Sequence, residues 1–370
     1  MSSRFRGVSG FQHGRAPKLG IVLVNLGTPE APTAPALRKY LAEFLSDPRV
    51  VEIPRVIWML ILHGIILRVR PKKSAHGYAT VWSDEGSPLM AISNRLTQKV
   101  AKALRDRIPG PIEVRLAMRY GQPAVDRVLT ELQDAGCERL LVVPLYPQYS
   151  GATTGSVADA VFMSLQRWRW VPELRLLGAY HDDRRYIRAL ADSVREHWRS
   201  TGMQGHLLMS FHGMPRATLD AGDPYHCHCH KTARLLAEEL GLQAGQWEVA
   251  FQSRFGPAEW LQPYAAERFE ALPKEGKDAL TVVCPGFSAD CLETLEEIAI
   301  QGRDSFMEAG GREFSYVPAL NESDAHVALM VERVLEHAAG WPELNAAQQA
   351  GQVVALQTSA EQARAAGATF

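Results

Sequence analysis

One histidine of the sequence stands where a strand should end. His212 directly follows the apolar run 206–211 and precedes Gly213, and a glycine there allows the chain to turn tightly. Side chains at the carboxyl ends of parallel strands face the crevice in which such folds bind ligands. A neutral imidazole in that crevice could bind a metal ion or accept a proton, although a histidine in this position is, taken alone, more often structural than catalytic.

Three carboxylates follow a second apolar run, residues 279–283. Asp290, Glu293 and Glu297 are spaced i, i+3 and i+7, so they should share one face of a helix that begins near Asp290. A solvated acidic first turn, stabilised by the helix dipole, would explain Asp290 better than Glu297, which lies beyond that turn. Together with His212, the three carboxylates would suit a divalent metal ion and the transfer of protons.

A third loop, residues 144–155, is rich in small residues and carries Tyr146 and Tyr149. The two aromatic rings could bound a flat ligand. The same composition is also typical of an ordinary surface loop.

The elements that would position these groups alternate along the chain. Short apolar runs bounded by Gly or Pro predict strands at residues 18–26, 113–117, 139–145, 174–177, 206–211, 247–252, 279–283 and 314–317. Amphipathic stretches between them predict helices. This alternation predicts an α/β fold in which parallel sheets are covered on both faces. We therefore expect two doubly wound domains that meet at a cleft, with the break near residues 179–182.

The expected organisation has five parts. They are a flexible N-terminus (1–17), an N-terminal domain (18–180) with an apolar lip (54–70), a C-terminal domain (181–323), a C-terminal helix that packs on the body (324–340) and a disordered tail (341–370). The tail is rich in Ala and Gln and has no apolar stripe, which is typical of disorder or of a loose helix.

Bulk composition excludes several classes of protein. The 370 residues carry 40 Lys and Arg against 41 Asp and Glu, a net charge of −1, so nucleic acid is not expected as a partner. Hydrophobic residues make up 46% and charged residues 22%, far from a disordered composition. Five irregularly spaced cysteines do not suggest a disulfide framework, and no apolar signal segment follows the basic N-terminus. We expect a cytoplasmic protein.

Five segments of the sequence resemble the ferrochelatases, the enzymes that insert ferrous iron into a porphyrin to finish heme. They are VNLGTP (24–29), RPKKSAHGYATVW (70–82), PLYPQYSGATTGS (144–156), SFHGMP (210–215) and CPGFSADCLETLEEI (284–298), and the collinear matches span about residues 18–321. The resemblance implies two Rossmann-like domains with the porphyrin in the cleft between them. It also implies a lyase that inserts Fe²⁺ into protoporphyrin IX to give protoheme, with release of two protons.

The resemblance implies roles for particular residues. His212 matches the family's active-site histidine and Glu293 its paired carboxylate, both as catalytic groups and as ligands of the metal. Asp290 and Glu297 would lie on a path for protons or metal, whose outer end differs here because the next helical step falls on Gln301. The porphyrin would contact Leu26, Arg70, Arg119, Tyr120, Tyr146, Tyr149 and Ser150.

Substrate and cofactor expectations follow from the same resemblance. In relatives that act on coproporphyrin the position of Leu26 is typically Tyr, so Leu favours the vinyl groups of protoporphyrin IX, and Arg70 would lie near a propionate. No cofactor is expected, Fe²⁺ being a substrate, and a C-terminal [2Fe-2S] cluster should be absent because no cysteine follows Cys291. The alternatives are a chelatase for coproporphyrin or sirohydrochlorin, and a non-enzymatic porphyrin or heme carrier.

Residues 226–230, His-Cys-His-Cys-His, are the densest group of potential metal ligands in the sequence. Cys227 and Cys229 would be the soft ligands of an additional metal site. Neighbouring residues cannot wrap one ion without strain, so the alternative is the start of a helix that continues into residues 231–240.

Residues 56–67 are almost wholly apolar, and basic residues flank them on both sides. A helix of this length is about 18 Å long and cannot cross a hydrocarbon core of about 30 Å. It is either a buried helix or a lip that contacts the membrane surface and receives the porphyrin. The second alternative would place a peripheral membrane contact at residues 54–73.

Overall fold

The computed structural model describes residues 4–8 and 11–368, apart from the side chains of residues 352 and 353. Its strands are β1 (Lys18–Gly27), β2 (Ile112–Tyr120), β3 (Cys137–Pro144), β4 (Glu173–Leu176), β5 (His206–His212), β6 (Trp247–Gln252), β7 (Ala279–Val283) and β8 (Glu313–Val317). Its α-helices are α1 (Ala34–Leu45), α2 (Arg55–Ile61), α3 (Leu67–Val81), α4 (Pro88–Arg105), α5 (Val125–Asp134), α6 (Ser156–Leu165), α7 (Arg184–Thr201), α8 (Arg216–Asp220), α9 (Tyr225–Leu240), α10 (Ala265–Ala271), α11 (Arg303–Glu308), α12 (Asp324–Ala338) and α13 (Ala346–Ala365). Three π-helical segments cover Leu62–Ile66, Gly151–Gly155 and Glu293–Gly302, and two short 3₁₀ turns cover Pro273–Glu275 and Pro342–Leu344.

The eight strands form two parallel sheets with the same strand order. The first sheet runs β2-β1-β3-β4 and the second runs β6-β5-β7-β8, with every pairing parallel. Each predicted strand run overlaps one observed strand, and the α/β class with parallel sheets is confirmed. Because all strands of a parallel sheet end at one edge, the ends of β5, β6 and β7 meet on one side of the second sheet.

An apolar core connects the two sheets. Ile21 and Leu23 of β1 belong to the same buried cluster as Leu207 and Met209 of β5. The other face of β1 packs against α5 and α6. Full burial of one such side chain contributes about 1.5–3 kcal/mol, so this shared core holds the two halves of the chain in a defined position relative to each other.

The described part of the N-terminus pairs with the body of the protein. The backbone N–H of Arg6 donates to Arg167 (2.7 Å), and its carbonyl accepts from Arg169 (2.8 Å). Within the N-terminus expected to be flexible at residues 1–17, two backbone hydrogen bonds thus attach Arg6 to the body of the protein. Residues 1–3, 9 and 10 lie outside the described residues.

The tail expected to be disordered at residues 341–370 contains α13. Asn345 caps this helix, since its side-chain oxygen accepts from the backbone N–H groups of Ala347 (3.0 Å) and Gln348 (3.2 Å). Ala and Gln are good helix formers, so a capped helix forms here without an apolar stripe. It is largely exposed, and residues 369 and 370 lie outside the described chain.

The apolar segment at residues 54–70 forms α2, a π-helical turn and the start of α3. Trp58 and Leu62 are buried, whereas Val56 and Leu60 are 76% and 71% exposed. The segment is therefore not a wholly buried helix, since its outer row of apolar side chains faces solvent. Among the helices that the structure describes, none is long and apolar enough to cross a membrane.

Candidate active site

His212 is the last residue of β5, and its backbone environment determines its tautomer. Its Nδ1 lies 2.7 Å from the carbonyl oxygen of Gly213. A carbonyl oxygen can only accept a hydrogen bond, so Nδ1 carries the proton of the neutral ring. Nε2 then keeps its lone pair, so it is the atom that would bind a metal ion or a substrate proton.

The turn after His212 needs glycine. A Cβ at Gly213 would lie 2.6 Å from the carbonyl oxygen of Gln252, closer than non-bonded atoms approach. The Gly213 N–H donates to that same oxygen at 2.7 Å, and the Tyr225 hydroxyl donates to the His212 carbonyl at 3.0 Å. Strand pairing, turn and tyrosine together fix the imidazole at the sheet edge.

The carboxylates lie on a π-helix rather than on an α-helix. The segment Glu293–Gly302 is π-helical over ten residues. Its i→i+5 bonding is rare and occurs frequently at functional sites. Glu293 and Glu297 both belong to this segment, whereas Asp290 precedes it, so the spacing predicted from Asp290 onward does not apply.

Glu297 is held at the end of β6. The backbone N–H of Ser253 donates to its Oε1 at 2.6 Å and the Ser253 hydroxyl donates to its Oε2 at 2.5 Å. Burial raises the pKa of the Glu297 carboxyl above its ordinary value, although the hydrogen bonds from Ser253 and the charge of His212 oppose the rise, and the charge of Glu293 adds to it. Glu297 therefore lies within electrostatic reach of both His212 and Glu293.

Glu293 lies towards the first half of the chain. Burial raises the pKa of the Tyr78 hydroxyl of α3, and the charge of Glu293 raises it further. Burial likewise raises the pKa of the Cys291 thiol, and Glu293 contributes to that rise. The carboxylate thus faces elements of both halves.

Gln252 and Ser253 are site residues that the sequence analysis did not identify. Gln252 is the register partner of His212 in the sheet, and its Nε2 donates to the backbone carbonyl of Glu293 at 2.8 Å. Gln252 therefore couples the histidine strand to the π-helix. Their place at the end of the predicted strand 247–252 was the one signal in the sequence that could have indicated a site role. It was not sufficient, because the sequence does not show which strand lies next to β5.

Leu26 and Arg70, two of the predicted porphyrin contacts, each lie against residues of the second half of the chain. Leu26 packs against the apolar cluster of α1–α3 and also against the cluster that contains Ala289 and Cys291. Arg70 lies over the ring of Phe255 at 4.5 Å, and burial lowers its pKa. In the described chain Arg70 has no carboxylate partner, which leaves its charge available to an anionic ligand.

A family model described as Ferrochelatase matches residues 18–338 of the chain. The chain belongs to the ferrochelatase family. It is similar to the ferrochelatase of Thioalkalivibrio sulfidiphilus, with 56% identity over 362 residues that cover 98% of this chain and 97% of that protein. It is also similar to the ferrochelatase of Nitrosococcus oceani, with 53% identity over 339 residues that cover 92% of each chain. The protein is thus a lyase with ferrochelatase function in heme biosynthesis, as the motifs predicted.

A solved structure shares the fold of this ferrochelatase-family chain. SirB from Bacillus subtilis with Fe³⁺ superposes with a TM-score of 0.51 at 12% identity, covering 87% of this chain and 96% of that one. At this identity the likeness concerns the fold alone, and it confirms the chelatase-like architecture.

Asp290, predicted to share a helix face with Glu293 and Glu297 in this ferrochelatase-family site, accepts hydrogen bonds from three side chains. Its Oδ1 accepts from the hydroxyls of Thr294 (3.0 Å) and Tyr316 (2.6 Å), and its Oδ2 accepts from the Asn321 amide (2.7 Å). Its side chain is buried and fully engaged by these donors. Asp290 therefore anchors the loop before the π-helix, and nothing in these contacts directs it towards His212.

Arg119 and Tyr120, predicted to contact porphyrin, are both bound to Asp47. The Arg119 guanidinium lies 2.5 Å and the Tyr120 hydroxyl 2.8 Å from Asp47 Oδ2, and both also contact Ser156. Burial would raise the pKa of Asp47, but hydrogen bonds from Ser156, the Arg49 backbone and Tyr120, with the charge of Arg119, leave it below its ordinary value. These groups form a buried ion-pair network.

The loop at residues 144–155 forms hydrogen bonds with the second half of the chain. The Ser150 hydroxyl, also predicted to contact porphyrin, is buried and lies 3.2 Å from Asp223 Oδ2. The backbone N–H of Tyr149 donates to His228 Nδ1 at 3.2 Å. The Tyr146 hydroxyl is buried and finds no hydrogen-bond partner among the described residues, and burial raises its pKa.

The predicted metal ligands Cys227 and Cys229 lie on different sides of one helix. Both lie in the first turns of α9, where residues two apart point to different sides of the helix. Accordingly Cys227 is exposed and Cys229 is buried. Across the described chain, no group of three or more His, Cys, Asp or Glu side chains is placed to hold a metal ion.

Proposed function

We propose that this ferrochelatase-family protein inserts Fe²⁺ into protoporphyrin IX in the cleft between the two sheets, with His212 and Glu293 as the catalytic pair. The observation that carries the proposal is the 2.7 Å contact between His212 Nδ1 and the Gly213 carbonyl oxygen. In a neutral ring this contact commits the proton to Nδ1, so Nε2 is left as the base or ligand.

The reaction requires groups that accept protons. A free-base porphyrin loses two pyrrole N–H protons as one Fe²⁺ enters, so charge is conserved only if two protons leave the cleft. His212 Nε2 accepts a proton in this scheme. Glu293 is the paired carboxylate, and Glu297 passes protons on, because its raised pKa brings it nearer to neutral pH than an exposed glutamate.

Porphyrin binding in this proposal uses the cleft wall. Arg70 pairs with a propionate, since its guanidinium has no carboxylate partner among the described residues. Leu26 supplies an apolar wall suited to vinyl groups. Tyr146 and Tyr149 stay predicted contacts, whereas Asp290, Arg119, Tyr120 and Ser150 are assigned to the structural networks described above.

The test is metal insertion by matched variants. Glu293→Gln and His212→Ala should abolish the collapse of the free-base visible bands of protoporphyrin IX in an anaerobic assay with Fe²⁺, or with Zn²⁺ as substitute. Both variants should still bind porphyrin, which separates catalysis from carriage. Glu296→Gln is the control, because Glu296 lies on the same π-helix but bonds Gln301 (2.5 Å) and should leave the rate unchanged. Insertion by Glu293→Gln at the normal rate would refute the role of Glu293.

We further propose that the outer row of residues 54–73 makes a peripheral contact with the membrane surface. Val56 and Leu60 expose their side chains, and exposed apolar side chains beside basic residues suit the interface between headgroups and acyl chains. Leu60→Asp should reduce co-sedimentation with anionic vesicles without changing the thermal midpoint. Unchanged co-sedimentation would contradict the contact.

A further inference from the structure

Two histidines on α9 have no role in the reaction scheme. His226 and His230 are separated by four residues, which places them on one face of a helix. Their ring centres lie 4.4 Å apart with an interplanar angle of 52°. His230 is exposed and His226 is half-buried, and in the described chain neither ring makes a hydrogen bond to another protein group.

A buried phenylalanine holds the two rings together. The Phe251 ring at the end of β6 lies 5.9 Å from the ring of His226, stacked at 18°, and 6.1 Å from the ring of His230. The pair is therefore confined on one side by an apolar surface. It also adjoins Tyr225, whose hydroxyl contacts the backbone of His212.

We propose that His226 and His230 form a binding site for a borderline divalent transition-metal ion, of the class of Zn²⁺, Co²⁺ and Fe²⁺. Two histidines at i and i+4 of a helix are an established chelating arrangement. At metal–nitrogen distances of about 2.0–2.1 Å, two imidazoles on one tetrahedral ion have ring centres roughly 5 Å apart. The observed 4.4 Å requires only a small opening of the pair.

The chemistry of both rings agrees with metal binding. A neutral imidazole offers one ring nitrogen with a free lone pair to a metal ion. Within the described residues no third His, Cys, Asp or Glu side chain completes the group, so water fills the remaining positions. This site differs from the predicted Cys227 and Cys229 pair and does not depend on the proposed reaction.

The experiment is a Zn²⁺ titration of the tag-free, metal-stripped full chain by calorimetry. His212→Ala serves as the parent, so that the cleft imidazole does not bind metal. The parent should bind one Zn²⁺ with micromolar affinity. Adding His226→Gln or His230→Gln should each weaken binding at least tenfold, and the double variant should be no worse than either, because a chelate needs both rings. His63→Gln, at an exposed histidine of the lip, should change nothing.

Two further measurements distinguish loss of the metal site from loss of the fold. Near-ultraviolet circular dichroism checks that each variant is folded, and Zn²⁺ should raise the thermal midpoint of the parent but not of the double variant. Equal Zn²⁺ affinity in the parent and the double variant would overturn the site. Absence of saturable binding by the parent below the millimolar range would overturn it as well.

Discussion

The Ser253 hydroxyl should control the pH at which this ferrochelatase-family protein works. It donates to Glu297 Oε2 at 2.5 Å and stabilises the ionised carboxylate. A hydrogen bond to a charged group contributes about 1.5–3 kcal/mol, and one pKa unit corresponds to about 1.36 kcal/mol. Ser253→Ala should therefore raise the pKa of Glu297 by about 1–2 units beyond its already raised value.

The assay is the pH dependence of kcat/KM for Zn²⁺ insertion. The ionised form of Glu297 accepts protons in the proposed scheme, so the acid limb of the profile should move to higher pH by about 1–2 units. Well above both pKa values the rates should be similar, because Glu297 is then ionised with or without the hydroxyl.

A matched variant separates the hydroxyl from the backbone. Ser253 has a φ of +63°, a conformation in which glycine is relaxed and alanine is not. Ser253→Gly removes the same hydroxyl without that strain, so it should shift the acid limb as Ser253→Ala does. An acid limb that stays in place in both variants would refute the role of Glu297, and a shift in Ser253→Ala alone would assign the effect to strain.

Four further outcomes are expected. Asp47→Asn should lower the free energy of unfolding in guanidinium by about 3–5 kcal/mol, because the Arg119 charge, 14% exposed, loses its partner. The control Asp134→Asn, in the exposed pair with Arg6, should lower it by at most about 1 kcal/mol. Equal losses in the two variants would contradict the buried network. Since the pKa of Asp47 is lowered, its stabilisation is present above the ordinary value and should be lost as the pH falls through the lowered pKa. Leu26→Tyr should reduce kcat/KM for protoporphyrin IX about tenfold or more relative to coproporphyrin, and an unchanged ratio would remove Leu26 from the selectivity wall. Removal of residues 346–370 should change the free energy of unfolding by less than about 1 kcal/mol, since α13 is largely exposed; a larger loss would show that α13 supports the core.

The amino-acid sequence determined the elements and the chemistry through local patterns. Strand positions follow from apolar runs such as residues 279–283, because a strand buried on both faces needs continuous apolar side chains. The segments around His212 and Glu293 carry the family resemblance, and the family match bears it out. Both features depend on only a few consecutive residues, so the sequence alone is sufficient to predict them.

Only the tertiary structure decided which polar groups meet. Asp290 accepts a hydrogen bond from Asn321, in a loop 31 residues away. Glu297 accepts one from Ser253, at the end of a neighbouring strand. Helical spacing cannot distinguish the two carboxylates, since their partners lie on other elements and the helix itself is π rather than α. A buried carboxylate binds the donors that packing places beside it, because an unpaired charge there costs several kcal/mol. Strand order, and not proximity in the sequence, decides which donors those are.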